Sequence, residues 1–181
     1  MRYALLVFIT CCMANSLCAQ VPASLQKNSR IYIVRHAEKQ SGKDPLLKEE
    51  GNIRAGALMR QLKNKKIKRI YVTEYKRTQH TADSLRLQLG IDTIQIIADT
   101  SCTALFASIT KNKDWNQPML IVTHSNIIQK IIYQLGITDF PQQNIPDGEF
   151  DNLYLVSVKN EKPVLKQTKY GKPSAASATM K

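Results

Sequence analysis

Three short segments carry side chains suited to holding and attacking an anion. Arg35 and His36 follow the apolar run Ile31-Tyr32-Ile33-Val34. Lys76, Arg77 and Thr78 come shortly after Ile70-Tyr71-Val72-Thr73, and His124, Ser125 and Asn126 directly after Met119-Leu120-Ile121-Val122-Thr123. A guanidinium presents a planar fork of N–H donors that can hold two oxygens of one phosphoryl group. An imidazole with an unprotonated nitrogen is a competent nucleophile toward phosphorus. Each segment alone says little, because a lone strand-end histidine is more often a structural hydrogen-bonder and a first-turn arginine is usually solvated. Together, Arg35, His36, Arg77 and His124 would make an anion site beside two helix N-termini, with Ser125 as a further phosphate contact. Phosphoryl transfer needs mainly positioning and positive charge, which this set supplies. The site is read as needing no metal, since no group of carboxylates has ligand-like spacing.

The elements that must bring these segments together are legible from periodicity. Apolar runs predict strands at 31–34, 70–73, 94–98, 119–123 and 153–158, with a sixth at 164–170. Beyond Gly51, Ala55, Leu58, Met59 and Leu62 fall at i, i+3, i+4 and i+7, and Ile128, Ile131, Ile132 and Leu135 repeat the pattern before Gly136. A third helix carries Ala82, Leu85 and Leu89 and ends at Gly90, and residues 103–112 are read as helical. Strands alternating with helices predict an α/β fold with a mixed, largely parallel central sheet flanked by helices. In such sheets functional residues gather at the carboxyl ends of strands. All three segments stand there.

The residues Val34-Arg35-His36-Ala37-Glu38-Lys39, Leu47-Lys48-Glu49-Glu50-Gly51-Asn52-Ile53-Arg54-Ala55, Tyr75-Lys76-Arg77-Thr78-Gln79-His80-Thr81-Ala82 and Val122-Thr123-His124-Ser125-Asn126 closely resemble the histidine phosphatase superfamily, also called phosphoglycerate-mutase-like. The resemblance runs from about residue 31 to 158 and is to the short, uncapped branch. It implies that His36 is the nucleophile and forms a phosphohistidine. It implies that Arg35 and Arg77 clamp the phosphate oxygens, that His124 donates to the same oxygens, and that no cofactor is used.

Two positions depart from the family pattern. Ala37 stands where many members have glycine. No motif fixes the acid that would protonate a leaving alkoxide. Asp99, just after the third strand, is the first candidate for that role. Glu149 and Asp151, before the fifth strand, are alternatives, followed by Glu38 and Glu74 beside motif residues. A phosphohistidine substrate would need no such acid, because imidazole leaves more easily than an alkoxide.

The chain has 181 residues, 43% hydrophobic and 22% charged, with a formal net charge of +12. That composition fits one globular domain and excludes a chain disordered throughout. Residues 1–19 read as a secretory signal peptide: a basic start at Arg2, an apolar stretch Ala4 to Leu17, then Ser16-Leu17-Cys18-Ala19. Cys18 as a lipid anchor is the lesser reading. Residues 20–171 form the domain, and residues 172–181 read as a disordered tail. Cys102 is then the one cysteine of the mature chain, packing as a small apolar group. The expected compartment is periplasmic or extracellular.

Lys63, Lys65, Lys66, Lys68 and Arg69 form a basic run. It is read as a solvated face, or as weakly attracted to an anionic envelope surface; nucleic acid is not expected, because no aromatics interleave with the lysines. His80 is read as helix surface, and Trp115 as covering the sheet. The expected function is an exported phosphatase acting on a phosphorylated small molecule or glycan. The alternatives are a protein phosphohistidine phosphatase and a non-catalytic module that binds phosphate or glycan.

Overall fold

The computed structural model describes residues 25–140 and 145–174. In chain order its elements are β1 (Arg30–Arg35), α1 (Glu49–Leu62), β2 (Arg69–Thr73), α2 (Lys76–Leu89), β3 (Thr93–Ile96), α3 (Thr103–Lys111), a single 3₁₀ turn (Asp114–Asn116), β4 (Pro118–Thr123), α4 (Ser125–Gln134), β5 (Asn152–Lys159) and β6 (Lys162–Lys169). The strands form one 6-stranded sheet in the order β3-β2-β4-β1-β5-β6. β1 to β4 run parallel; β5 is antiparallel to β1, and β6 to β5. The mixed, largely parallel sheet expected from the alternation of strands and helices is therefore the observed one.

The central strands are apolar on both faces because helices cover both. Ile31, Ile33, Tyr71, Met119 and Ile121 point to the face carrying α3 and α4, where they pack with Leu105, Ile109, Ile128, Ile131 and Ile132. Tyr32, Val34, Ile70, Val72, Leu120 and Val122 point the other way, onto Leu58, Leu62, Ala82 and Leu85 of α1 and α2. The period-2 alternation of each strand thus feeds two cores. β6 is an edge strand with an alternating, mostly exposed pattern, and Leu165 on its half-buried face packs against the core.

Three boundaries differ from expectation for visible reasons. α1 begins at Glu49, before Gly51; Glu49 and Glu50 place negative charge in its first turn, where the helix dipole favours it. β3 stops at Ile96, because the Ala98 N–H donates to the Glu74 carboxylate (2.8 Å) and not to a ladder partner. Residues 172–174, expected as the start of a disordered tail, are docked instead. Ser174 is buried, its N–H donates to Asp151 Oδ2 (3.1 Å), and its hydroxyl accepts from the Phe150 N–H (2.9 Å). Arg54 Nη1 holds the Lys172 carbonyl at 3.0 Å. The expected signal peptide and the remainder of the tail lie outside the described residues.

Register sets the active end. Arg35 pairs with Thr123, and Val72 with Val122, so β1, β2 and β4 finish level. His36 and His124 are the next residues after β1 and β4, and the His36 N–H donates to the Thr123 carbonyl (2.9 Å).

Candidate active site

His36 and His124 face each other across the end of the sheet, with ring centroids 5.5 Å apart. The His36 Nδ1–H donates to the Ala37 carbonyl at 2.8 Å. A carbonyl can only accept, so this bond puts the proton on Nδ1 and leaves Nε2 with its lone pair. Burial, then the adjoining His124, Arg35 and Arg77, pushes the His36 pKa down to about 3. The ring is neutral at any physiological pH.

His124 caps the start of α4 and is held by two threonine hydroxyls. Thr78 Oγ1 donates to the Tyr75 carbonyl (2.8 Å) and lies 2.9 Å from Thr73 Oγ1, which is 3.0 Å from His124 Nε2. With the Thr78 proton committed to a carbonyl, Thr73 must donate to Thr78 and accept from His124 Nε2–H. His124 Nδ1 then faces Arg77 Nη2, 3.5 Å away. Burial, followed by Arg77 and Arg35, lowers the His124 pKa to about 4.

The two arginines frame this pair. Arg35 lies over the Phe150 ring at 4.4 Å, and Arg77 over the Tyr75 ring at 4.1 Å. Phe150 also packs against His36, and Tyr75 edge-on against His124. Each guanidinium is thereby fixed in plane by an aromatic face. Arg35 Nη1 donates to the carbonyls of Pro146 (2.8 Å), Asp147 (3.0 Å) and Glu149 (3.3 Å). The Nε–H groups of both Arg35 and Arg77 are buried and have no protein partner. Two cationic donors left unpaired among neutral imidazoles define a site for an anion, since a buried unpaired donor is costly. Ser125 is the first residue of α4 beside His124, placing a helix N-terminus at the pocket.

The Gly51–Arg54 motif works at one remove from the anion. Arg54 is buried and grips Glu38 through Nε (3.0 and 2.9 Å) and Nη2 (2.7 Å), while Nη1 reaches the Tyr170 carbonyl (3.1 Å). This pair anchors the strand of chain that leaves His36. Gly51 packs so closely on it that a Cβ would stand 2.2 Å from the Glu38 carbonyl oxygen. Gly51→Ala must push the 36–38 segment or α1 aside. A loss of about 1–3 kcal/mol of stability is expected, the usual range for overpacking. Urea denaturation checks it, and an unchanged midpoint would show that the backbone yields freely.

The expected proton donors are engaged elsewhere. The Asp99 carboxylate accepts from the Ser101 hydroxyl and from the N–H groups of Thr103 (3.4 Å) and Ala104 (3.2 Å), capping α3. The Ser101 bond foremost holds its pKa below the usual carboxylate range, the wrong direction for an acid near neutrality. Asp151 is buried against Lys169 Nζ (3.0 Å) and the Ser174 N–H. Glu38 belongs to Arg54 and Glu74 to Ala98. Glu149 shares Lys169 with Asp151, and its backbone carbonyl touches Arg35.

Other side chains singled out in the sequence take structural places. His80 is half-exposed, 3.7 Å from Asp83 on the α2 surface. Trp115 stacks on Phe106 and donates to Thr110 Oγ1 (2.9 Å), covering the sheet. Cys102 is buried, and burial raises its pKa to about 11, so it packs as an inert apolar group. Among the described residues, no group of three or more His, Cys, Asp or Glu is placed to hold a metal ion. Thr73 and Phe150 were not foreseen, and Tyr75, Thr78 and Thr81 stood in the Arg77 motif with no role assigned to them. Thr81 Oγ1 accepts from the Ala37 N–H (2.9 Å) and donates to the Arg77 carbonyl (2.7 Å), tying the His36 segment to the Arg77 helix.

A doubly covered α/β sheet with paired histidines and arginines at its carboxyl end is the architecture of a histidine-dependent phosphatase. Residues 31–101 match the family model described as histidine phosphatase superfamily (branch 1). That match spans less than half of the chain, so the resemblance to the histidine phosphatase superfamily is carried by β1 to β3 with Arg35, His36 and Arg77. Solved structures agree in fold. An alpha-ribazole phosphatase from Shigella flexneri superposes with a TM-score of 0.58 at 16% identity, covering 77% of this chain and 96% of that one. The protein histidine phosphatase SixA, complexed with tungstate, gives 0.56 at 15% identity, covering 77% and 96%. A phosphoserine phosphatase from Entamoeba histolytica, in complex with 3-phosphoglyceric acid, gives 0.55 at 14%, covering 80% and 97%. Comparison with curated protein sequences yields no match.

Proposed function

We propose that this chain hydrolyses a phosphomonoester in two half-reactions through a phosphohistidine at His36. In the first, His36 Nε2 attacks phosphorus, the P–O bond to the leaving group breaks, and the leaving oxygen takes a proton from solvent. In the second, a water oxygen attacks phosphorus, the N–P bond breaks with its electron pair returning to Nε2, and inorganic phosphate leaves as the water's proton passes to solvent. Arg35 and Arg77 neutralise the charge on the transferring oxygens, the α4 N-terminus at Ser125 completes the cradle, and His124 orients Arg77 through Nδ1. The observation that carries this reading is the pair of buried, unpartnered Nε–H groups flanking a neutral histidine. Purified protein should turn over an aryl phosphate, whose leaving group needs little protonation, and EDTA should leave the rate unchanged. Phosphate binding without turnover would instead establish the non-catalytic module.

The engaged carboxylates favour a second reading. With Asp99, Asp151, Glu38 and Glu74 each bound to other groups, a substrate whose leaving group needs no general acid fits the pocket. Phosphohistidine is such a substrate, and rates on a phosphohistidine protein and on an alkyl phosphate distinguish the two. Export, to the periplasm or beyond, is proposed on the basic start and apolar stretch of residues 1–19.

The depressed histidines set a pH signature. Turnover should persist well below pH 6.5, until the substrate loses its dianionic form, because His36 and His124 stay unprotonated down to about 3 and 4. Stability should move the other way. Between the ordinary value of 6.5 and those lowered values the unfolded chain binds more protons at these rings than the folded one. Their contribution is therefore full above pH 6.5 and is lost as pH falls. Urea midpoints should drop between pH 7 and pH 5, and the slope should flatten in a His36→Gln, His124→Gln double variant.

A further inference from the structure

The fold separates its charges along the strand axis. At the pocket end cations and carboxylates interleave: Glu38 with Arg54, Asp44 on the Lys76 N–H, and Glu149 and Asp151 on Lys169. The opposite end is different. Lys63, Lys65, Lys66, Lys68 and Arg69 join α1 to β2 and are all exposed. Topology sets three further segments beside them. Lys27 and Arg30 stand where the chain enters β1, Lys111 and Lys113 lie just before β4, and the β5–β6 hairpin brings Lys159 and Lys162, since Arg30 pairs with Ser157. Carboxylates at this end include Asp92, Asp114 and Glu161, with Asp139 following the end of α4, and Asp114 is buried against Arg69 Nε (3.2 Å) and the Tyr71 hydroxyl.

We propose that this amino end of the sheet is a docking face for an anionic phospholipid bilayer, holding the phosphatase with its pocket turned away from the membrane. Two observations favour a bilayer over a nucleic acid. The cations are mostly lysines, point charges on mobile stems, and no aromatic residue interleaves with the 63–69 run; toward this end Trp115 is buried and Tyr133, in the last turn of α4, is exposed. The chain also enters the described fold at this end through Leu25, so residues 1–24 join it on the basic side. The attraction of a basic face for anionic headgroups is electrostatic and falls off within a Debye length of about 8–10 Å. The face acts at contact and does not help recruit substrate to the distant pocket.

The test is co-sedimentation of the full chain with vesicles of phosphatidylcholine alone and with 30% phosphatidylglycerol. Binding should be at least about tenfold stronger to the anionic vesicles, and 0.5 M salt should abolish that difference. A Lys63→Glu, Lys65→Glu, Lys66→Glu variant should lose the preference while hydrolysing an aryl phosphate at the wild-type rate, since none of these residues is near the pocket. Equal binding to both vesicles, or a variant that keeps the preference, would overturn the proposal. So would a single-stranded oligonucleotide that displaces the protein from anionic vesicles at submicromolar concentration.

Discussion

His36→Ala is expected to abolish turnover, by roughly 10⁴-fold or more, and with it any phosphoenzyme. The reasoning rests on which nitrogen is free. His36 spends Nδ1–H on the Ala37 carbonyl and keeps Nε2 unprotonated, whereas His124 spends Nε2–H on Thr73 and turns Nδ1 to Arg77. His36 is also clamped on both sides, by its own N–H on the Thr123 carbonyl and by the Ala37 N–H on Thr81 Oγ1. A nucleophile held this way attacks without first reorganising. Rapid quenching with labelled substrate should trap an acid-labile, alkali-stable adduct on wild-type protein and none on the variant. His124→Ala should slow turnover yet leave some label on His36. Label mapped to His124 or Ser125, or a phosphoenzyme in His36→Ala, would show that the roles are assigned to the wrong residues. His36→Ala removes a buried ring but no ladder bond, and a matching urea midpoint would separate lost chemistry from lost fold.

The parts of this molecule that were legible in its sequence are those that periodicity encodes. Ile31–Val34 and Met119–Val122 are apolar at every position because helices cover both faces, and such runs read as buried strands without further information. Ile128, Ile131, Ile132 and Leu135 are similarly direct. Placing Arg35, His36, Arg77 and His124 together then required only the rule that parallel strands present their carboxyl ends to one region. Asp99 shows where the rule stops. A position after a strand says which end of the sheet a residue occupies, not where its side chain goes. The local run Asp99-Thr100-Ser101-Cys102-Thr103 ahead of apolar Leu105 already had the chemistry of a helix cap, which competes for the carboxylate.

Other features left no local trace. Phe150 and the carbonyls of Pro146 to Glu149 meet Arg35 across more than a hundred residues of chain. Thr73 looks like any β-branched strand residue until His124 is placed beside it. Residues 172–174 look like a tail by composition, and they are docked because buried Asp151 needs the Ser174 N–H and Arg54 needs carbonyls. In each case a buried polar group created the demand and a distant segment met it, a relation that a single chain read locally does not display.

Arg77→Lys should cost on the order of 100-fold in kcat/KM, about 2.7 kcal/mol of transition-state stabilisation, although the charge is kept. Arg77 is the cleaner of the two arginines to change. Arg35 Nη1 also ties down the Pro146, Asp147 and Glu149 carbonyls, so altering it would disturb the segment that carries Phe150. Arg77 spends Nη2 on His124 Nδ1 at a long 3.5 Å and leaves its buried Nε–H without a partner. Lysine has no counterpart to that Nε–H, cannot form a two-point contact with phosphate oxygens, and loses the planar packing on Tyr75. The loss should fall mainly on kcat, because charge on the oxygens grows toward the transition state and the fork meets it there. The His36 adduct should still be trapped, formed more slowly. Stability should change little, as the Tyr75 contact is partly exposed and Arg77 holds no ladder carbonyl. Wild-type kinetics in this variant would mean that Arg77 does not touch the phosphoryl group and that its unpaired Nε–H serves some other ligand.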